Sequence, residues 1–166
     1  MSGTMYFSEE WGSNALKVTG SVTGLSVDNT NGFHVHTYGS TTNSCNSMGP
    51  HWNPDGVAHG FYDSPVRHAG DLKQLMPVAG VDPTPYDYTD PIATLWGTNS
   101  VIGRGLVVHL MNDDGMGAAG NAGPLIACCT IARASPDEFS QPAEPEPVAM
   151  VHHYPAAAEM AIGHDD

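Results

Sequence analysis

The chain is poor in basic residues and in long apolar runs. Its 166 residues include only 5 Lys and Arg against 18 Asp and Glu, and the formal net charge is −13. Such an excess of negative charge repels the phosphate backbone, so we expect no nucleic-acid partner. No apolar run approaches the roughly 20 residues that a membrane-spanning helix needs, so we expect no membrane partner either.

Cysteine is scarce as well. The three cysteines, Cys45, Cys128 and Cys129, are too few for a disulfide-dense secreted scaffold and do not have the spacing of a zinc finger. The start of the chain shows no signal-peptide pattern. We expect a soluble protein, and two compartments stay open: the cytoplasm, or secretion with a leader that is absent from this chain.

The chain also lacks any sustained helical period. Short segments rich in β-branched residues alternate with glycine-rich turns, which indicates a single all-β domain with an antiparallel barrel or sandwich. A long loop over residues 37–71 is expected to be functional, and residues 83–90 are expected to be irregular. Strands are predicted at residues 4–7, 16–22, 32–36, 72–81, 92–96, 105–109 and 125–132.

Composition changes near the C-terminus. Residues 1–134 hold 11 acidic and all 5 basic residues, whereas the remaining 32 residues add 7 acidic residues and no basic one. We therefore predict a β domain over residues 1–134 and an acidic, Pro/Ala/Glu-rich C-terminal tail over residues 135–166. The tail contains His152 and His153, which we interpret as surface histidines rather than a metal site.

Six of the nine histidines lie between residues 34 and 109. His34 and His36 are two residues apart, and side chains at this spacing leave the same face of a strand. The others follow with one aspartate, at His51, His59, His68, Asp71 and His109. Four imidazoles suit copper, and three imidazoles with a carboxylate suit zinc. The pattern therefore predicts metal binding rather than scattered surface histidines.

Longer motifs surround these histidines and occur in a fixed order. They are Gly32-Phe33-His34-Val35-His36, then Cys45 before Gly49-Pro50-His51-Trp52-Asn53-Pro54, then Arg67-His68-Ala69-Gly70-Asp71-Leu72, Ile102-Gly103-Arg104-Gly105-Leu106-Val107-Val108-His109, and Gly120-Asn121-Ala122-Gly123 with Ala127-Cys128. Together they resemble the copper/zinc superoxide dismutase family from about residue 3 to residue 134.

The resemblance implies a fold, a reaction and two metals. The expected fold is the family's Greek-key antiparallel β-barrel or sandwich, and the family's first strand, which should precede Gly3, is missing. The expected activity is the conversion of superoxide to dioxygen and hydrogen peroxide by Cu(II)/Cu(I) cycling. By position, the copper ligands are His34, His36, His51 and His109, and the zinc ligands are His51, His59, His68 and Asp71.

The resemblance also assigns roles beyond single-metal ligation. It makes His51 the ligand shared by both metals and a proton carrier during catalysis. It makes Asp113 the carboxylate that links a copper ligand to a zinc ligand, although an ordinary loop acid is the alternative. It implies a disulfide between Cys45 and Cys128, with Cys129 as a free thiol.

Two departures from the family pattern concern the approach to copper. The family carries an arginine three residues before its last-strand cysteine, where this chain has Leu125, and residues 114–119 replace a longer charged segment. A leucine neither attracts nor hydrogen-bonds an anion, so we expect weaker guidance of superoxide and low activity. The alternatives are a catalytically weak copper/zinc-binding relative that stores or delivers copper, and a barrel that uses metals only for structure.

The resemblance implies partners as well. Superoxide is the expected substrate, and a copper chaperone is the expected source of copper. Val101-Ile102-Gly103 matches an apolar patch at the family's homodimer interface, although a locally packed hairpin turn explains it equally well.

Overall fold

The computed structural model describes residues 1–10, 12, 13, 15–135 and 149–151, and within them it contains eight β-strands and one 3₁₀ helix. The strands are β1 (Ser2–Ser8), β2 (Leu16–Thr23), β3 (Phe33–His36), β4 (Thr42–Cys45), β5 (Thr84–Asp90), β6 (Gly105–His109), β7 (Leu125–Ala132) and β8 (Ala149–Val151), and the 3₁₀ helix spans Asn46–Met48. The predicted all-β class is confirmed.

The strands form antiparallel sheets that enclose one main core. Hydrogen-bonded neighbours follow the order β3-β6-β7-β8-β1-β2-β5, so β3 pairs with a strand far along the chain rather than with β4. No pairing between the outer strands β3 and β5 occurs in the described residues, and the arrangement is a sandwich rather than a closed barrel. Side chains from most strands fill the core, among them Phe7, Leu16, Val18, Phe33, Val35, Leu106 and Ile131.

Residues 83–90 are not irregular as predicted, because β5 covers Thr84–Asp90. Its side chains alternate strictly between buried and exposed, with Tyr86 and Tyr88 facing the core. The prolines at positions 83 and 85 obscure this pattern in the sequence. A proline is tolerated here because β5 is an outer strand and needs hydrogen-bond donors on one side only.

Two predicted strands are absent. Residues 72–81 form isolated bridges and a turn, and residues 92–96 form bends with one isolated bridge, between Thr94 and Ser100. In the second segment, the apolar side chains of Ala93 and Leu95 are buried. Its backbone is bound by carboxylates rather than by a strand. Asp90 accepts hydrogen bonds from the amides of Ile92 and Ala93, and Glu9 accepts one from the amide of Leu95. Side-chain acceptors thus replace a partner strand.

The space between β1 and β7 is occupied by β8. This three-residue strand is antiparallel to both neighbours, pairing with residues 5–7 of β1 and residues 131–132 of β7. A segment of the predicted C-terminal tail therefore lies beside β1. The remaining tail positions, including His152 and His153, lie outside the described residues. The boundary between residues 134 and 135 stays a prediction.

Candidate metal centre

Strand β3 places two histidines side by side. His34 and His36 are 0% and 3% exposed, and Val35 between them packs into the core. Strand β6 pairs with β3 and ends at His109, where the register with β7 shifts between Val108 and His109. A bulge of this kind redirects side chains at the end of a strand. The strands therefore bring three imidazoles to one location.

The fourth imidazole of this group comes from the long loop. His51 forms an isolated antiparallel bridge with His36, which fixes the loop against β3. The ligand atoms of the four rings all lie within 4.8 Å of one another, and Nε2 of His36 is 3.3 Å from Nε2 of His109. We call these four residues, His34, His36, His51 and His109, the copper group.

The loop also supplies a second group. Its members, His51, His59, His68 and Asp71, again have ligand atoms within 4.8 Å of one another, and all are buried. Asp71 is at the centre: Oδ1 is 2.9 Å from Nδ1 of His51 and 3.2 Å from Nδ1 of His68. Oδ2 lies 3.0 Å from Nδ1 of His59 without the alignment of a hydrogen bond. We call these four residues the zinc group.

A buried arginine fixes the segment that carries the zinc group. Arg67 donates hydrogen bonds to the backbone oxygens of His68 and Asp71, each at 3.1 Å. Its other terminal nitrogen lies 2.8 Å from Oδ2 of Asp90 at the end of β5. The predicted motif around Arg67 includes no partner for this arginine, because Asp90 lies 23 residues further along the chain.

Asp113 joins the two groups. Its Oδ2 is 2.8 Å from Nε2 of His34, and its Oδ1 is 3.0 Å from Nε2 of His59. Gly120 lies against this carboxylate with φ of 68°, and a Cβ there would overlap Asp113. The structure thus places Asp113 between a ring of the copper group and a ring of the zinc group.

Other contacts orient the remaining rings of the copper group. Nδ1 of His36 is 2.6 Å from the carbonyl oxygen of Gly49, and Nδ1 of His109 is 3.1 Å from that of Gly123. Sequence reasoning missed both acceptors, although each lies in a glycine-containing turn of the quoted motifs. A ring nitrogen held in this way fixes which nitrogen faces a metal.

The electrostatics of the two groups differ. Burial, together with the neighbouring histidines, lowers the pKa of His34 and of His36 to about 3, although a hydrogen bond of each ring opposes the shift. Burial also lowers the pKa of His59, but the hydrogen bond to Asp113 and the adjacent carboxylate of Asp71 outweigh it and raise that pKa to about 9. Burial favours the neutral form of Asp71, yet its hydrogen bonds with His51 and His68 and the nearby ring of His59 hold its pKa well below the usual range.

Unpaired buried nitrogens provide a test of whether metals fit. Among the described residues, Nδ1 of His34, Nε2 of His51 and Nδ1 of His59 are buried and form no hydrogen bond. A buried polar atom without a partner costs free energy, and a metal ion supplies the partner. The two free nitrogens of His34 and His51 belong to the copper group, and that of His59 belongs to the zinc group, so both donor sets fit their ions.

The predicted disulfide is confirmed. Cys45 and Cys128 are bonded, with their Cα atoms 5.6 Å apart and a sequence separation of 83. Cys129 is a free, partly buried thiol, and burial raises its pKa to about 12. Cys45 is the last residue of β4, within the long loop of residues 37–71, so the bond ties this loop to β7.

Leu125 lies beside the copper group. In the register of β6 and β7 it is directly opposite His109, and residues opposite each other in an antiparallel pair share a face. Exposed apolar residues follow in the connection between these strands, with Leu110, Met111 and Met116 at 48%, 45% and 67% exposure. We call these four residues the approach.

Two adjacent metal groups that share one imidazole, on an antiparallel sandwich, define a binuclear metalloprotein with one site suited to copper and one suited to zinc. The comparisons with known proteins specify the class. The family model described as copper/zinc superoxide dismutase (SODC) matches residues 1–131. The chain is 42% identical over 143 residues to an extracellular superoxide dismutase (Cu-Zn) of Brugia pahangi, a match that covers 80% of this chain and 69% of the relative.

The chain therefore belongs to the copper/zinc superoxide dismutase family. The predicted oxidoreductase class, superoxide as the substrate, and copper and zinc as the cofactors are confirmed. Among the described residues, no helix is long and apolar enough to cross a membrane.

Proposed function

We propose that the chain dismutates superoxide at the copper group, while the zinc group holds the shared ring of His51 in place. One observation carries this assignment: Nδ1 of His51 is 2.9 Å from Asp71, and its Nε2 is buried among the copper-group rings without a hydrogen bond. One ring thus offers a nitrogen to each ion. Copper, when bound, supplies the one-electron chemistry that converts two superoxide ions and two protons to dioxygen and hydrogen peroxide.

The residues around the metals have separate tasks in this proposal. His51 releases and regains a proton at Nε2, since this is the atom that faces the copper group. Asp113 keeps Nδ1 of His34 and Nδ1 of His59 directed at the two metals by accepting from the opposite nitrogen of each ring. His36 and His109 donate from Nδ1 to backbone oxygens, which leaves Nε2 of each ring for copper.

The assignment is tested by reconstitution. The protein is loaded with Zn²⁺ and then Cu²⁺, the metals per chain are counted, and dismutation is assayed. We expect one copper and one zinc per chain together with activity. His36→Ala should remove copper and keep zinc, whereas His68→Ala should mainly remove zinc. Binding of a single metal, or loss of the same metal in both variants, would contradict the proposed ligand sets.

The approach supports a second candidate, a copper/zinc-binding relative with little turnover. Leu125 stands where the family has its arginine, and most cations of the chain are engaged elsewhere. Lys17 pairs with Asp87, Arg104 stacks 3.1 Å from the ring centre of Trp52, and Arg133 lies over Trp96. Storage or delivery of copper is favoured if the reconstituted protein holds both metals, shows no dismutation, and passes copper to an apo-acceptor protein.

The finer partner assignments are part of the proposal. Val101 of the proposed dimer patch is buried in the core, and Gly103 donates to the backbone oxygen of Ile131. These contacts favour the locally packed turn over the homodimer interface, and sedimentation equilibrium decides between monomer and dimer.

The relative's name favours the secreted compartment, which immunoblotting of cells and medium tests. A copper chaperone as donor is tested by transfer from a Cu(I)-loaded chaperone to the zinc-loaded protein.

A further inference from the structure

Asp113 occupies a loop without regular secondary structure. The segment from residue 110 to residue 124 contains no strand or helix and four glycines with positive φ, at positions 115, 117, 120 and 123. The carboxylate of Asp113 nonetheless contacts two histidine rings from different parts of the chain, those of His34 and His59. The backbone hydrogen bonds within the loop, such as those of Met111 with Ala122 and of Asp114 with Gly120, engage neither backbone group of Asp113.

Gln74 makes the contacts that do so. Its Nε2 donates to the carbonyl oxygen of Asp113 at 2.9 Å, and its Oε1 accepts from the amide nitrogen of Asp113 at 2.9 Å. One side-chain amide thus satisfies both backbone groups of one residue, which fixes position and orientation together. Thr30 adds a hydrogen bond at 3.3 Å to the same Oε1.

The location of Gln74 connects this contact to the zinc group. Gln74 follows Asp71 by three residues, and the next residue, Leu75, exchanges two backbone hydrogen bonds of 3.0 Å with Asn31. The side chain of Asn31 donates to the backbone oxygen of His109 at 2.8 Å. The segment that begins at a zinc ligand is therefore tied to Asp113 and to the end of β6.

We infer that Gln74 is a positioning residue that acts through Asp113 and couples the geometry of the two metal groups. By fixing the backbone of Asp113, it holds the carboxylate in reach of both His34 and His59. The inference rests on the proposed ligand sets, and it concerns metal affinity and copper geometry rather than turnover.

The main test replaces the amide by an isosteric apolar side chain. Gln74→Met keeps the volume and removes all hydrogen bonds to Asp113. We expect the affinity for Zn²⁺, measured by chelator competition, to fall about 10- to 100-fold, as for other residues that support metal ligands. The Cu(II) electron paramagnetic resonance spectrum of the copper- and zinc-loaded protein should change as well, because Nδ1 of His34 is no longer held in one direction.

A matched control separates this role from a general structural one. Lys73→Met makes the same replacement at the adjacent, partly buried position, which forms no side-chain hydrogen bond to Asp113 in the described structure. It should leave Zn²⁺ affinity and the copper spectrum unchanged. Equal effects of Gln74→Met and Lys73→Met would overturn the inference. Thr30→Val, which retains the two main hydrogen bonds of Gln74, should give a smaller shift in the direction of Gln74→Met.

A double-mutant cycle tests whether Gln74 acts through Asp113. Residues that act as one unit have non-additive effects. Gln74→Met combined with Asp113→Asn should bind Zn²⁺ no more weakly than Asp113→Asn alone, and full additivity would overturn the inference. Failure of the proposed function looks different, since the unmodified chain would then lack two metals or activity whatever the behaviour of Gln74→Met.

Discussion

The two metal groups and the approach to the copper group are built on different principles. In the two groups, His34 is 0% and Asp71 1% exposed. Each imidazole ring has one nitrogen hydrogen-bonded to a carboxylate or a backbone carbonyl oxygen. In the approach, Met116 is 67% exposed and Leu125 offers no polar atom. Geometry within the groups decides whether metals bind, whereas charge in the approach decides how fast an anion arrives. One can change while the other is retained.

Removing the disulfide should have the largest effect, a loss of stability, because the bond ties the loop of the metal groups to the strand that carries Leu125. Replacing both Cys45 and Cys128 by alanine should reduce the free energy of unfolding by about 4 kcal/mol, given the length of the closed loop. Denaturant titration of the metal-loaded protein measures this. Cys129→Ala is the control, since that thiol is free, and a comparable loss in the control would contradict the role given to the bond.

His51→Ala should produce the largest effect that is confined to the metal groups. It removes the shared ring, so dismutation should fall by more than the roughly 100-fold that loss of a supporting residue costs. The copper absorption band should also stop responding to removal of zinc, because no ring then connects the ions. His59→Ala provides the comparison. If the copper spectrum of His51→Ala still changed on removal of zinc, the role of His51 as the ligand shared by both metals would be contradicted.

The metal groups were largely predictable from sequence because their chemistry is local or carried by long motifs. The spacing of His34 and His36 fixes a common strand face, and His51 to Asp71 fall in one loop. Gln74 gives no comparable signal, since its partner Asp113 is 39 residues away and a glutamine after a metal ligand is unremarkable in sequence. The acceptors at Gly49 and Gly123 are backbone atoms, which side-chain patterns do not reveal.

The strands were predicted best where β-branched and apolar residues follow one another without an interrupting proline. Strands β1, β2, β3, β6 and β7 follow the expected segments, whereas prolines concealed β5, and the apolar residues 92–96, which form bends, were wrongly assigned to a strand. The strand β8 had no sequence signal strong enough to assign it a partner. Its pairing depends on the free edges of β1 and β7, which exist only once the sheet has formed.

Leu125→Arg tests whether the charge of the approach limits the rate at which superoxide arrives. The residue faces His109 across the strand pair, so an arginine there places a cation beside the copper group. The second-order rate constant should rise by about 10-fold at low ionic strength, the lower end of what electrostatic steering provides. Stopped-flow assays over a salt series measure the gain, which should shrink as salt increases. Leu125→Gln, equally polar but uncharged, is the control.

Met116→Lys should have the smallest effect of these changes, and it tests how local the approach is. The position is 67% exposed, so the added charge is hydrated and screened over a Debye length of about 8 Å at physiological salt. We expect a rate increase of less than about 3-fold at low salt and none at physiological salt, consistent with weak surface electrostatics. If Met116→Lys instead matched Leu125→Arg, net charge rather than position opposite His109 would govern the arrival of superoxide.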